Sequence, residues 1–285
     1  MRSAAVLFPV LLLVAALAPF GLGVLLAGAS GFPAKGPVLA AATLAVAALT
    51  LAGLASREAY APQLGPWPHW EGLDRKSWRL LAYACLTLAG VLGLLLQWVW
   101  HTGDFTIPLG AMGIFCGYFI FAPPLAWHRR GLGEFWGGLC FGLLPVLTGY
   151  YLQAGHLISE IPLYGAPLSL AAFNLLLLLG FPRPGEVAAR LSLAARLGPV
   201  GVGLLYTIIN ILVIVGLLIC LFFPAASNFG QPWLWALIVL ALINQELVKR
   251  RAYFQAARIQ LLCFSTLALH LGINLVFALG LWGRL

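Results

Sequence analysis

The stretch that decides the fold runs from Tyr118 to Gly155: YFIFAPPLAWHRRGLGEFWGGLCFGLLPVLTGYYLQAG. Two apolar segments flank one short basic loop, Trp127-His-Arg-Arg-Gly-Leu-Gly-Glu134. A bilayer accepts such a pair as a helical hairpin, because each helix satisfies its own backbone polar groups. Pro123 and Pro124 fall inside the first segment and are expected to bend or break its last turns.

Composition extends this reading to the whole chain. Of 285 residues, 62% are hydrophobic and 8% are charged, against roughly 45–50% and about 25% in soluble domains. No soluble core of this size hides so much apolar surface. The expectation is an all-α, polytopic membrane protein forming a single domain over residues 1–285. Segments near 4–28, 37–55, 78–99, 107–127, 135–153, 164–181, 199–223, 232–248 and 258–281 are long enough to span, which predicts a bundle of nine transmembrane helices. They are too long and too uniformly apolar for barrel strands.

Charge then sets the orientation. With a cytoplasmic N-terminus, fourteen of the sixteen Lys and Arg residues fall on the cytoplasmic side, leaving only Lys35 and Arg284 outside. This is the positive-inside pattern, with the C-terminus external and the protein multi-pass in the cell membrane. The net charge of +8 belongs to that asymmetry, so no nucleic-acid partner is inferred. Met1-Arg-Ser and the apolar run behind it also fit a signal peptide with a small-residue site at Ala16-Leu-Ala18. The run continues past a signal core, so a retained first helix is expected. The five cysteines, Cys85, Cys116, Cys140, Cys220 and Cys263, form no C-x-x-C pair and read as small packing residues.

The longest cytoplasmic loops, 56–77 and 182–198, follow the second and sixth spans. Both lie on one face, where they are placed to close over a cavity between helices.

Several motifs carry a resemblance. Pro123-Pro-Leu125 is followed by Arg130-Gly-Leu-Gly-Glu134. Next come Phe141-Gly142, Pro145-Val146 and Tyr150-Tyr-Leu-Gln-Ala-Gly155. Beyond the sixth span stand Phe181-Pro182 and Leu193-Ala-Ala-Arg-Leu-Gly198. This series resembles the UbiA superfamily of intramembrane prenyltransferases, and most closely its menaquinone-forming branch. The resemblance implies nine helices with active-site loops after the second and sixth. It also implies a polyprenyl diphosphate donor, an aromatic, quinone-precursor acceptor, and Mg²⁺ held by two aspartate-rich motifs.

The chain departs from that pattern at the metal. Its two aspartates are Asp74 and Asp104, and Asp104 is expected outside. Where the first motif belongs stands Leu54-Ala-Ser-Arg57-Glu58-Ala-Tyr60; where the second belongs stands Leu179-Gly-Phe-Pro-Arg183-Pro-Gly-Glu186. Glu58, Glu71, Asp74 and Glu186 are the carboxylates left in the two loops. Mg²⁺ is therefore implied by resemblance only. The expected catalytic residues are Glu58, Glu186 and Tyr118, the last as an aromatic facing a prenyl cation. Arg57, Arg75, Lys76, Arg183 and Arg190 are the candidate diphosphate ligands, since guanidinium suits bidentate phosphate contact. The competing reading makes them positive-inside anchors at the headgroups, and placement alone favours that reading.

Polar residues inside spans are costly and often mark function. Asn174, Asn210, His270 and Asn274 are candidate cavity liners, with interhelical hydrogen bonding as the alternative. The expected function is binding or transfer of a polyprenyl chain, with weak or altered Mg²⁺-dependent catalysis. A pseudoenzyme acting as a lipid- or quinone-binding subunit beside membrane-protein partners is the other expectation.

Overall fold

The structure is a computed structural model that describes residues 2–62, 73–180, 192–222, 231–251 and 256–283. The described residues are helical with short connections and contain no strand. The helices are α1 (Arg2–Ala29), α2 (Gly36–Tyr60), α3 (Arg75–Trp98), α4 (Thr106–Cys116), α5 (Trp127–Arg130), α6 (Gly133–Cys140), α7 (Leu143–Ala154), α8 (Ile161–Leu179), α9 (Leu193–Phe222), α10 (Gln231–Lys249) and α11 (Ala256–Trp282). Among the described residues, eight helical segments are long and apolar enough to cross a membrane, with α6 and α7 together supplying one of them.

The fourth expected span behaves differently. Regular helix stops at Cys116, and one 3-10 turn over Tyr118–Ile120 follows. Eleven residues of α-helix rise only ~16 Å, about half the hydrocarbon thickness. The carbonyls at the broken end are met by side chains of the following hairpin. Trp127 Nε1 donates to the Phe115 carbonyl at 3.0 Å, and His128 Nδ1 lies 2.8 Å from the Ile120 carbonyl. The expected fifth span is also divided, at Phe141 and Gly142. There, the Leu143 amide donates to Ser169 Oγ of α8 at 2.7 Å. α9 bends at Gly198, whose φ of +66° favours glycine, and Pro199 follows.

Close backbone approach sets the centre of the bundle. α1 packs most extensively on α7. A methyl on Gly23 would overlap the Val146 carbonyl, and one on Gly149 would overlap the Phe20 carbonyl. Each helix thus presents a glycine to the other's backbone, which is how bilayer helices gain packing without a hydrophobic driving force. α2 meets α3 through a face of buried Ala41, Ala48, Ala52, Ala55 and Ala59.

The core confirms alternating helix directions. Leu22 and Leu26 near the end of α1 cluster with Tyr150 of α7, Leu217 and Leu221 late in α9, Leu234 early in α10, and Phe277 and Leu281 late in α11. Lys35 joins this end, where its amide donates to Gln153 Oε1 at 2.8 Å. At the opposite end the close of α2, the 127–133 hairpin, the close of α8 and the start of α9 converge. That end carries Arg57, Arg129, Arg130 and Arg196, so the charge asymmetry becomes an end-to-end property of the bundle.

Candidate functional site

The convergence encloses a cavity of about 200 Å³. Its body is apolar, with Leu49, Leu96, Leu109, Leu144 and Leu152 in the wall. Glycines enlarge it. Gly93 of α3 and Gly110 of α4 line the cavity, and a Cβ on either would meet nothing within 4 Å. Polar side chains gather where the two loop-bearing ends meet the hairpin: Arg57, His128, Glu134 and Ser192.

Local sequence explains why the hairpin delivers two of these. Gly131, with φ of +75°, ends the short α5 in the left-handed conformation. Gly133 lies so near the preceding turn that a Cβ would sit 2.9 Å from His128 Cα. The chain therefore reverses tightly, and His128 and Glu134 both reach the cavity wall. Both are buried, at 8% and 5% exposure.

Glu134 is the most demanding group in the site. Its Oε2 is buried and has no hydrogen-bond partner among the described residues. Its Oε1 lies against Gly180, the last residue before the 181–191 segment. Arg196 is the cation whose field reaches it, and Arg196 also donates to the Arg129 carbonyl. An unsatisfied carboxyl oxygen in an apolar surround costs several kcal/mol unless something pairs with it.

His128 is fixed by its neighbours. A carbonyl only accepts, so the 2.8 Å contact with Ile120 places the proton on Nδ1. Nε2 is then the acceptor of the neutral ring. Burial holds this imidazole below the ordinary histidine range, and the charge of Arg129 pushes the same way. The Ser192 hydroxyl is fully used: it donates to the Gly180 carbonyl at 2.8 Å and accepts from the Ala195 amide at 3.1 Å.

The expected site residues and those that line the cavity divide into three groups. Arg57 lines the cavity, and its Nη1 pairs with Glu58 Oε1 at 3.1 Å. Arg75 and Lys76 stand exposed at the first turn of α3. The preceding Asp74 accepts from the Ser77 amide at 3.0 Å, and the Ser77 hydroxyl, followed by this amide, holds its carboxyl below the usual carboxylate range. Arg183, Glu186 and Arg190, like Glu71, lie outside the described residues.

The second group is placed elsewhere than expected. Tyr118 is buried but does not line the cavity; its ring packs edge-on against Phe119, 5.2 Å between centroids. Asn174, Asn210, His270 and Asn274 do not line it either. Their polar atoms turn to backbone carbonyls, those of Asn174, Asn210 and His270 on other helices and that of Asn274 within α11. Asn174 donates to Tyr206 at 3.3 Å, Asn210 to Ala241 at 2.8 Å, and Asn274 to His270 at 3.1 Å. The His270 ring lies between the carbonyls of Leu168 and Ala15, at 3.2 and 3.1 Å, and so joins α1, α8 and α11. A neutral ring donates to only one of those two at a time.

The third group was not anticipated as a site: His128, Glu134 and Ser192. The one cue in the sequence was an acid at the end of a basic, glycine-rich reversal.

Among the described residues the donor set does not fit Mg²⁺. That ion wants octahedral oxygens, with one or two carboxylates beside substrate phosphates. Among the described residues no three of His, Cys, Asp and Glu stand close enough to hold a metal ion. Glu58 is occupied by Arg57, and Asp74 caps a helix. Neither a protein-family model nor a curated protein matches this chain.

Proposed function

We propose that this chain is a UbiA-like membrane protein that holds a polyprenyl or quinone-like lipid in the α2–α3–α4–α7 cavity. The polar head of the ligand faces Arg57, His128 and Glu134, and its chain lies along the leucine-walled body. The protein sits in the cell membrane with the Arg57 end towards the cytoplasm. Prenyl transfer that depends on Mg²⁺ is weak or absent, because an arginine, Arg57 or Arg183, stands at or beside an expected aspartate in each loop.

One observation carries this reading: an apolar chamber whose charged and imidazole groups gather at the end where both long loops begin or end, while the hydroxyls of Thr50, Thr106 and Thr148 stand elsewhere in its wall. The motif series from Pro123 to Gly198 supports it from the sequence side. A second reading, a lipid-binding subunit without transferase activity, is favoured by the Arg57–Glu58 pair, which leaves that carboxylate engaged.

The test is purification in lipid nanodiscs, followed by mass spectrometry of the retained lipids. A retained isoprenoid or quinone is the expected result. A turnover assay with polyprenyl diphosphate and a dihydroxynaphthoate acceptor, with and without Mg²⁺, then separates the two readings. Robust Mg²⁺-stimulated transfer would remove the claim of weak metal dependence. Retention of no isoprenoid or quinone, with no binding of either when added, would remove the whole proposal.

A further inference from the structure

We propose that His128 and Glu134 read the oxidation state of an aromatic ring ligand, binding its hydroxyl-bearing form in preference to its quinone form. The inference rests on the reading of the cavity as a site for a quinone-like molecule.

The argument is one of hydrogen-bond inventory at the polar end. The Ile120 carbonyl takes the only N–H of the neutral His128 ring, so that ring offers the cavity a lone pair and no proton. The Ser192 hydroxyl spends its proton on Gly180. Glu134, which lines the cavity, has a buried oxygen with no partner among the described residues. A ligand that satisfies this wall must bring protons of its own.

A phenolic hydroxyl does so under every condition. Its one proton goes to His128 Nε2 while the oxygen accepts from a protonated Glu134, or goes to Glu134 itself when that carboxyl is ionised. A quinone carbonyl only accepts. It leaves the His128 lone pair unpaired, and it meets Glu134 favourably only when the carboxyl carries a proton. Leaving a buried acceptor without a partner is the costly outcome. Arg57, on the α2 side of the cavity, is a donor already engaged with Glu58, so it serves the two forms alike.

The experiment uses the full chain in nanodiscs and a naphthoquinone carrying one short isoprenyl chain. The quinone is titrated in air and the hydroquinone under argon with dithionite, both followed by quenching of tryptophan fluorescence. The expected result is binding of the hydroquinone roughly tenfold tighter, the worth of about one hydrogen bond. Glu134→Gln supplies both an acceptor and a donor, so the ratio should shrink as the quinone gains affinity. His128→Phe keeps a ring and removes both nitrogens, and should shrink it by weakening the hydroquinone. Equal affinity of the wild type for both forms overturns the inference while leaving the cavity reading intact. A preference that survives unchanged in Glu134→Gln also overturns it, whether or not His128→Phe folds. Binding of neither form removes the underlying reading instead.

Discussion

Glu134 Oε1 lies 3.0 Å from the point where a side chain on Gly180 would begin. The two residues come from different helices, and their approach joins the hairpin to the end of α8. A methyl at position 180 would also stand 3.4 Å from the carbonyls of Leu176 and Leu177, which is tolerable contact. Gly180→Ala should therefore press mainly on the carboxyl. Its stability cost should stay within about 1–2 kcal/mol. Affinity for the short-chain hydroquinone should fall several-fold, read by the same fluorescence titration.

Gly110 offers the complementary change. It lines the cavity and faces open space, so Gly110→Leu fills volume without meeting backbone. The melting temperature in detergent should hold or rise slightly, since burying a leucine against the cavity wall is favourable by about 1.5–3 kcal/mol. Lipid retention should fall sharply. Unchanged retention in the nanodisc lipid analysis would mean the ligand lies elsewhere.

The α1–α7 crossing predicts the opposite balance. Gly23→Leu and Gly149→Leu each drive a side chain into the facing backbone, and neither residue lines the cavity. Each should destabilise by about 3 kcal/mol or more. The readout is thermal unfolding in detergent. A melting temperature equal to wild type for both would contradict the close approach.

His128 gives a pH dependence with a definite sign. Burial lowers its proton affinity in the folded protein relative to the ordinary value of 6.5. The unfolded chain then takes the proton first. Its contribution is fully present above that value and is lost as pH falls through it towards the lower folded one. Melting temperature followed from about pH 7.5 down to about pH 5 should decline in that window, and His128→Phe should lack this part of the decline. Asp74 acts only in more acid solution, because Ser77 holds its carboxyl below the usual carboxylate range.

The helices were legible because each is a long apolar run that leaves little choice of conformation. Their ends were less so. α2 was expected to stop near residue 55 but continues to Tyr60, and those extra turns carry Arg57 onto the cavity wall. The division at Phe141 and Gly142 had no cue beyond a glycine, since both halves are equally apolar. The convergence of the two loop-bearing ends was visible from span order and charge. Glu134 was not, because its burial depends on α6, α8 and the start of α9 meeting, which no periodicity encodes. Asn174 and His270 were recognised as costly inside a span, but which carbonyl each would satisfy depends on the packing partner.

The broken end of α4 ties recognition to architecture. The Phe115 carbonyl near its end is covered by Trp127, and the Ile120 carbonyl, which Pro124 has no N–H to meet, is covered by His128. One nitrogen of His128 thus mends the scaffold, and by doing so dictates what the other can offer a guest. Anyone re-engineering the pocket to welcome carbonyl ligands would first have to install a substitute donor for Ile120. Until then, selectivity and structural repair are locked to the same imidazole and cannot be tuned apart.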